Sequence, residues 1–155
     1  MTEKQKLHHY IGIEMNRQSW ILLGREDRNK QDNTRMVNFA KISLYHWQKS
    51  PKYKPINEQR GTWLISHVYA VMGDGRSALD YAQETWRLTE KYKFKDFDLA
   101  YANEAMARAY ASLKNIDACS EWKKQAEKTG RLIAEVEDKK YFYEDFIAEP
   151  WFGCK

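Results

Sequence analysis

Between Arg60 and Ala82 the sequence reads RGTWLISHVYAVMGDGRSALDYA. Apolar residues recur at helical spacing as far as Met72, stop at Gly73-Asp74-Gly75, and resume at Ala78, Leu79 and Ala82. Two helices joined by so short a turn must run antiparallel, side by side. The pattern returns downstream in the same register without a gap. Tyr69 falls on Tyr110, Asp74 on Asn115, Ala78 on Cys119, and Trp63 on Glu104. One helical pair cannot bury its own apolar face, so a pair that recurs calls for a stacked array.

The rest of the chain reads the same way. Three prolines and seven glycines in 155 residues leave few breaks, which favours long helices. A first helix is expected from about Lys4 to Arg25, with Leu7, Ile11, Met15 and Leu22 as its apolar stripe. Asn33 or Thr34 is the expected cap of a second, in which Met36, Ala40, Leu44 and Trp47 share a face. Pro51 and Pro55 mark a connecting loop, and Asn57 is the expected cap of the third helix. Asp96 and Asn115 are expected to cap the fifth and sixth, and a short last helix spans about Asp138 to Ala148. KYKFKDFD has no second run to pair with and reads as a helix end and connection. The tail, PWFGCK, is expected to pack on the last helix as a hydrophobic cap. The chain is therefore expected to be a single all-α domain of six or seven antiparallel helices. Residues 1–50 form a divergent N-terminal pair, 57–136 two repeat pairs, and 137–155 a capping helix and tail.

ISHVYAVMGDGRSALDYAQ resembles a tetratricopeptide repeat through Ser66, Tyr69, Gly73 and Ala78. MARAYASLKNIDACSEWKKQA resembles it through Ala107, Tyr110, Cys119 and Ala126, with Lys114 at the family's usual turn glycine. The repeat is longer than the family's ~34 residues. The segments SLYHW, RGTWLISHVYA, DFDLAYANEAMARAYA and EPWFG are similar to small bacterial proteins of the same type. The resemblance implies a right-handed array in which the first helix of each pair lines a concave groove. It places Arg60, Trp63 and His67 on that groove from the third helix, and Tyr101, Glu104 and Arg108 from the fifth. Each trio also forms an i, i+3, i+7 stripe beside the apolar one, where it can stay exposed.

Guanidinium groups bind carboxylates in bidentate fashion and aromatic rings hold apolar side chains, so such a groove suits a peptide or protein segment, one with acidic groups in particular. On this reading Arg60 and Arg108 hold acidic groups, Trp63, Tyr101 and His67 form walls, and Glu104 orients an arginine. Ordinary roles compete. Glu104 and Arg108, at i, i+4, also fit a surface ion pair worth ~0.3–0.5 kcal/mol. Trp63 also fits a core position, and His67 a buried, hydrogen-bonded one. His46 is a further ligand candidate, and it equally fits a helix C-terminus.

Other classes find less support. A small-molecule pocket, possibly catalytic, would require His46, His67 and Glu104 to converge. No nucleophile elbow or phosphate loop is present, and no metal or cofactor is expected. His8 and His9 are adjacent and point in different directions on a helix, which is poor metal-site geometry. Lys52–Lys54 and Lys91–Lys95 interleave lysines with rings as single-strand binders do, but a net charge of +4 is too small to argue for nucleic acid. No segment resembles a signal peptide or membrane span. Cys119 and Cys154 are expected to be reduced thiols in a cytoplasmic protein. So short an array would also gain groove length as a homodimer.

Overall fold

A computed structural model describes residues 1–155 and contains seven helices and no strand. They are α1 (Glu3–Leu23), α2 (Lys30–Lys49), α3 (Pro55–Val71), α4 (Gly75–Lys91), α5 (Phe97–Ser112), α6 (Ile116–Arg131) and α7 (Val136–Ile147). None is long and apolar enough to cross a membrane.

Helix starts depart from expectation where two caps compete. α2 begins earlier than Asn33, because Asn29 accepts the backbone N–H of Asp32 (2.8 Å) and Asp32 accepts that of Asn29 in return (3.2 Å). This reciprocal box satisfies two otherwise orphaned donors. α3 begins at Pro55, whose fixed φ and missing N–H suit a first helical position. Asn57 therefore lies inside that helix, and its side chain reaches back to accept the N–H of Lys54 at 2.8 Å. Asp96 precedes α5 but makes no side-chain cap; its carboxylate accepts the N–H of Ala134 (3.2 Å), tying the start of α5 to the α6–α7 connection. Asn115 caps α6 as expected, on the N–H of Ala118 at 3.2 Å. In α1, Leu7 is exposed, and Gly12, Ser19 and Leu22 carry the buried face.

Each helix packs on the next in sequence. In the α3/α4 pair Ser66 Oγ donates to the carbonyl of Ala78 (2.8 Å), Thr85 Oγ1 to Thr62 (2.9 Å), and Gln59 Nε2 to Thr89 (3.1 Å). Partner numbers rise in α4 as they fall in α3, so the pair is antiparallel. α1 and α2 pair likewise, through Ser19 on the carbonyl of Met36 and Ser43 on that of Gly12. Alternate helices also meet: α3 packs on α5, and α5 on α7. There the numbering runs in parallel, from Gln59 on Asp98 to Trp63 on Glu104.

α5 lies at the centre, with α3, α4, α6 and α7 around it. Every residue from Ala100 to Ala109 is buried. Its alanines let four neighbours approach closely, and a helix enclosed on all sides loses its solvent face. Polar residues in its middle turns therefore have to find partners inside the protein.

The two repeat turns are built alike. Gly73 (φ 86°) and Lys114 (φ 60°) both lie in the left-handed region just after a first helix. Asp74 N–H bonds back to the carbonyl of Tyr69, and Asn115 N–H to that of Tyr110, each at 3.0 Å. This is the Schellman arrangement, in which glycine is favoured. A β-carbon in that region costs ~1–2 kcal/mol, against ~0.5–1 kcal/mol for glycine's greater freedom in the unfolded chain. Lys114→Gly is thus expected to raise stability by about 0.5–1 kcal/mol in urea melts; no change, or a loss, would count against strain at this turn. Gly75 answers a different need: a β-carbon there would lie 2.6 Å from the backbone nitrogen of Leu113, so the start of α4 abuts the end of α5.

Candidate ligand groove

The parallel helices α1, α3, α5 and α7 enclose a groove of about 400 Å³. Trp20 from α1, Trp63 from α3, Phe97 and Tyr101 from α5, and Tyr141 from α7 form its walls. Trp20 is 39% exposed and stacks on Trp63 with ring centroids 5.9 Å apart. Tyr101 meets Trp63 edge-on at 5.0 Å, and Phe142 meets Tyr101 edge-on at 5.2 Å. Edge-to-face and offset stacks are the favoured aromatic geometries, so the rings hold one another in place.

Trp63 is buried, with one edge on the groove. Behind it, Trp63 Nε1 donates to Glu104 Oε2 at 3.1 Å, and His67 stacks on the same indole at 4.8 Å. Glu104 Oε1 in turn accepts from Arg108 Nε. Arg108 Nη1 donates to the carbonyls of Ala148 (2.9 Å) and Pro150 (3.0 Å), and Nη2 to that of Asp145 (2.9 Å). Its guanidinium carbon lies 4.0 Å from the centre of the Trp151 ring.

This arrangement corrects the expected exposure of the α5 stripe. Glu104 and Arg108 form neither a surface pair nor a ligand clamp: they are 0% and 1% exposed, and their hydrogen bonds are internal. The cause is the enclosure of α5 by four helices. Arg108 binds the carbonyls at the C-terminal end of α7 and just beyond it; that of Asp145 also accepts the N–H of Ala148 (3.2 Å). Arg60 does reach the rim, exposed, but it makes a bidentate pair with Asp98 (2.9 and 3.3 Å). The groove therefore presents no unpaired guanidinium to an acidic ligand.

The groove's other carboxylate is Asp145, on α7. Tyr101 Oη donates to Asp145 Oδ2 at 2.5 Å, and no cation pairs with it. Burial pushes the Asp145 carboxyl above its usual range, against the opposing effect of the Tyr101 hydrogen bond. Burial likewise raises the Tyr101 phenol.

His67 Nδ1 has no hydrogen-bond partner and lies 4.0 Å from Glu104 Oε1. Burial, with Arg108 nearby, lowers its pKa well below 6.5, so the ring is neutral in the folded protein. In the unfolded chain it takes up a proton near pH 6.5. The unfolded state then binds more protons, and stability falls as pH drops below about 6.5, by up to ~1.4 kcal/mol per pH unit. His67→Phe keeps a stacking ring and should flatten this slope in urea melts between pH 7.5 and 5. Parallel slopes for the two proteins would show that His67 is solvated.

His46 lies elsewhere. Its Nδ1 is 2.8 Å from that of His8, and its ring meets Tyr45 edge-on. His46, His67 and Glu104 are thus not brought to one site. His9 turns the other way, onto Ser50 at 3.0 Å, and no cluster of three metal-ligating side chains forms. Cys119 and Cys154 are not reduced thiols but a disulfide that joins α6 to the tail. The two cysteines are distant in sequence, and only the return of the tail onto α6 reveals the pairing.

Trp20, Phe97, Tyr141 and Asp145 were not among the expected groove residues. Trp20 and Tyr141 belong to α1 and α7, outside the recognisable repeats, where no register was available to place them. Compared with protein-family models, curated proteins and solved structures, the chain gives no match.

Proposed function

We propose that the chain is a non-catalytic binding module that holds a peptide or protein segment in the groove of a tetratricopeptide-like array. The carrying observation is the convergence of Trp20, Trp63, Phe97, Tyr101 and Tyr141, from four helices, on one open trough. Trp20 and Tyr141 are exposed and Phe97 partly so, with Trp63 and Tyr101 buried behind them; a contiguous group of rings left open to water marks an interaction site. Parallel alternate helices, with antiparallel ones behind them, also fit the repeat architecture that the sequence resembles. Trp63 and Tyr101 keep their role as walls and Arg60 remains at the rim. His67, Glu104 and Arg108 stand behind the wall and hold Trp63 in place.

The small-molecule alternative retains one supporting observation. A volume of about 400 Å³ lies within the range of small-ligand clefts. Its proposed focus on His46, His67 and Glu104 has none, since His46 faces His8.

The test is a peptide array probed with the protein and with Trp20→Ala. Trp20 is partly exposed, so its removal should leave the fold intact. Peptides retained by the wild type should bind at least tenfold more weakly to the variant. Retention that ignores Trp20→Ala, or no retained peptide at all, would sink the reading.

A further inference from the structure

The groove's charge identifies the kind of side chain it would take. Three ionisable groups of fixed charge line it: Arg60, Asp98 and Asp145. Arg60 and Asp98 neutralise each other through two hydrogen bonds. Asp145 is left with one donor, the Tyr101 hydroxyl, although a carboxylate has room for about four hydrogen bonds. Just behind it, Glu104 and Arg108 also cancel. The lining thus has one carboxylate in excess, set among ring faces.

Ring faces carry negative quadrupole density and attract organic cations, more strongly where water is partly excluded. An ammonium group that entered the groove would find the Trp20 and Tyr141 rings and the Asp145 carboxylate, which has no ion-pair partner, in one lining. An acidic or neutral group would meet the same rings without a countercharge. Burial raises the pKa of the Asp145 carboxyl even with Arg108 nearby, because the Arg108 guanidinium is bonded to Glu104 and to backbone carbonyls and makes no ion pair with Asp145.

We propose that this groove is a recognition pocket for a basic side chain of the bound segment, a lysine ammonium flanked by Trp20 and Tyr141 and paired with Asp145. The proposal rests on the peptide-groove reading and adds the chemistry of its anchor.

The experiment follows the indole N–H resonances of Trp20 and Trp63 in ¹⁵N-labelled protein. The probes are the peptide acetyl-Ala-Ala-Lys-Ala-Ala-amide, its norleucine counterpart, and n-butylammonium chloride. The lysine peptide should shift both resonances and bind at least tenfold more tightly than the norleucine peptide. Asp145→Asn, which retains an oxygen to accept from Tyr101, should remove that preference without altering the helical spectrum. Equal binding of the two peptides, with no effect of Asp145→Asn, would overturn the cation assignment and leave the peptide groove standing. Butylammonium binding as tightly as the lysine peptide would support the cation site and overturn the peptide reading. Unshifted indole resonances with all three probes would overturn the assignment.

Discussion

Arg108→Ala should lower the stability of this protein by about 3–5 kcal/mol, the range for removing one partner of a buried ion pair. The substitution leaves Glu104, 0% exposed, without its counterion. It also strips a donor from each of three carbonyls, those of Asp145, Ala148 and Pro150. These carbonyls are only partly buried, and that of Asp145 keeps the N–H of Ala148, so most of the loss comes from the uncompensated Glu104 charge. The Trp151 ring, 4.0 Å from the guanidinium, loses its cover as well, so residues 148–155 should detach from α5. Arg108→Lys should rescue little, because one ammonium cannot span the same fan of acceptors. The double variant Glu104→Gln with Arg108→Met should lose less than Arg108→Ala alone, since no unpaired charge is then buried. Urea unfolding of the four proteins measures all of this. A loss below 1 kcal/mol for Arg108→Ala would place the pair in solvent.

Replacing both cysteines with alanine should cost about 3–4 kcal/mol by the chain-entropy estimate for a loop closed between Cys119 and Cys154, 35 positions apart. The bridge constrains the unfolded chain, and in the folded protein it anchors the tail that Arg108 also holds. The two effects share that tail, so the combined variant should lose less than the sum of the separate losses. The oxidised protein, unfolded in guanidinium without reductant, should show no reactive thiol, and dithiothreitol should release two. Two reactive thiols before reduction would refute the bridge.

The register of α3–α6 was legible because its signals are local. Helical periodicity, the turn at Gly73 and the matching Asp74 and Asn115 caps depend on neighbours within a few residues. Helix starts were less legible where two capping residues lay close together, as Asn29 and Asn33 do. Of the groove, Trp63 and Tyr101 could be placed from the repeat. Trp20, Tyr141 and Asp145 could not, because α1 and α7 lie outside the part of the chain that shows the repeat.

By itself the sequence determined an all-helical chain, its antiparallel pairs, and a stripe of rings and charges on α3 and α5. Only the tertiary structure decided which of those charges meet water. A stripe on an isolated helix pair would be exposed, but α7 and the tail return over α5 and enclose Glu104 and Arg108. Burial is a property of what packs on a helix, and here the packing comes from residues forty positions away in sequence. The same return pairs Cys119 with Cys154 and brings Asp145 to the groove, leaving a carboxylate where the sequence suggested a guanidinium.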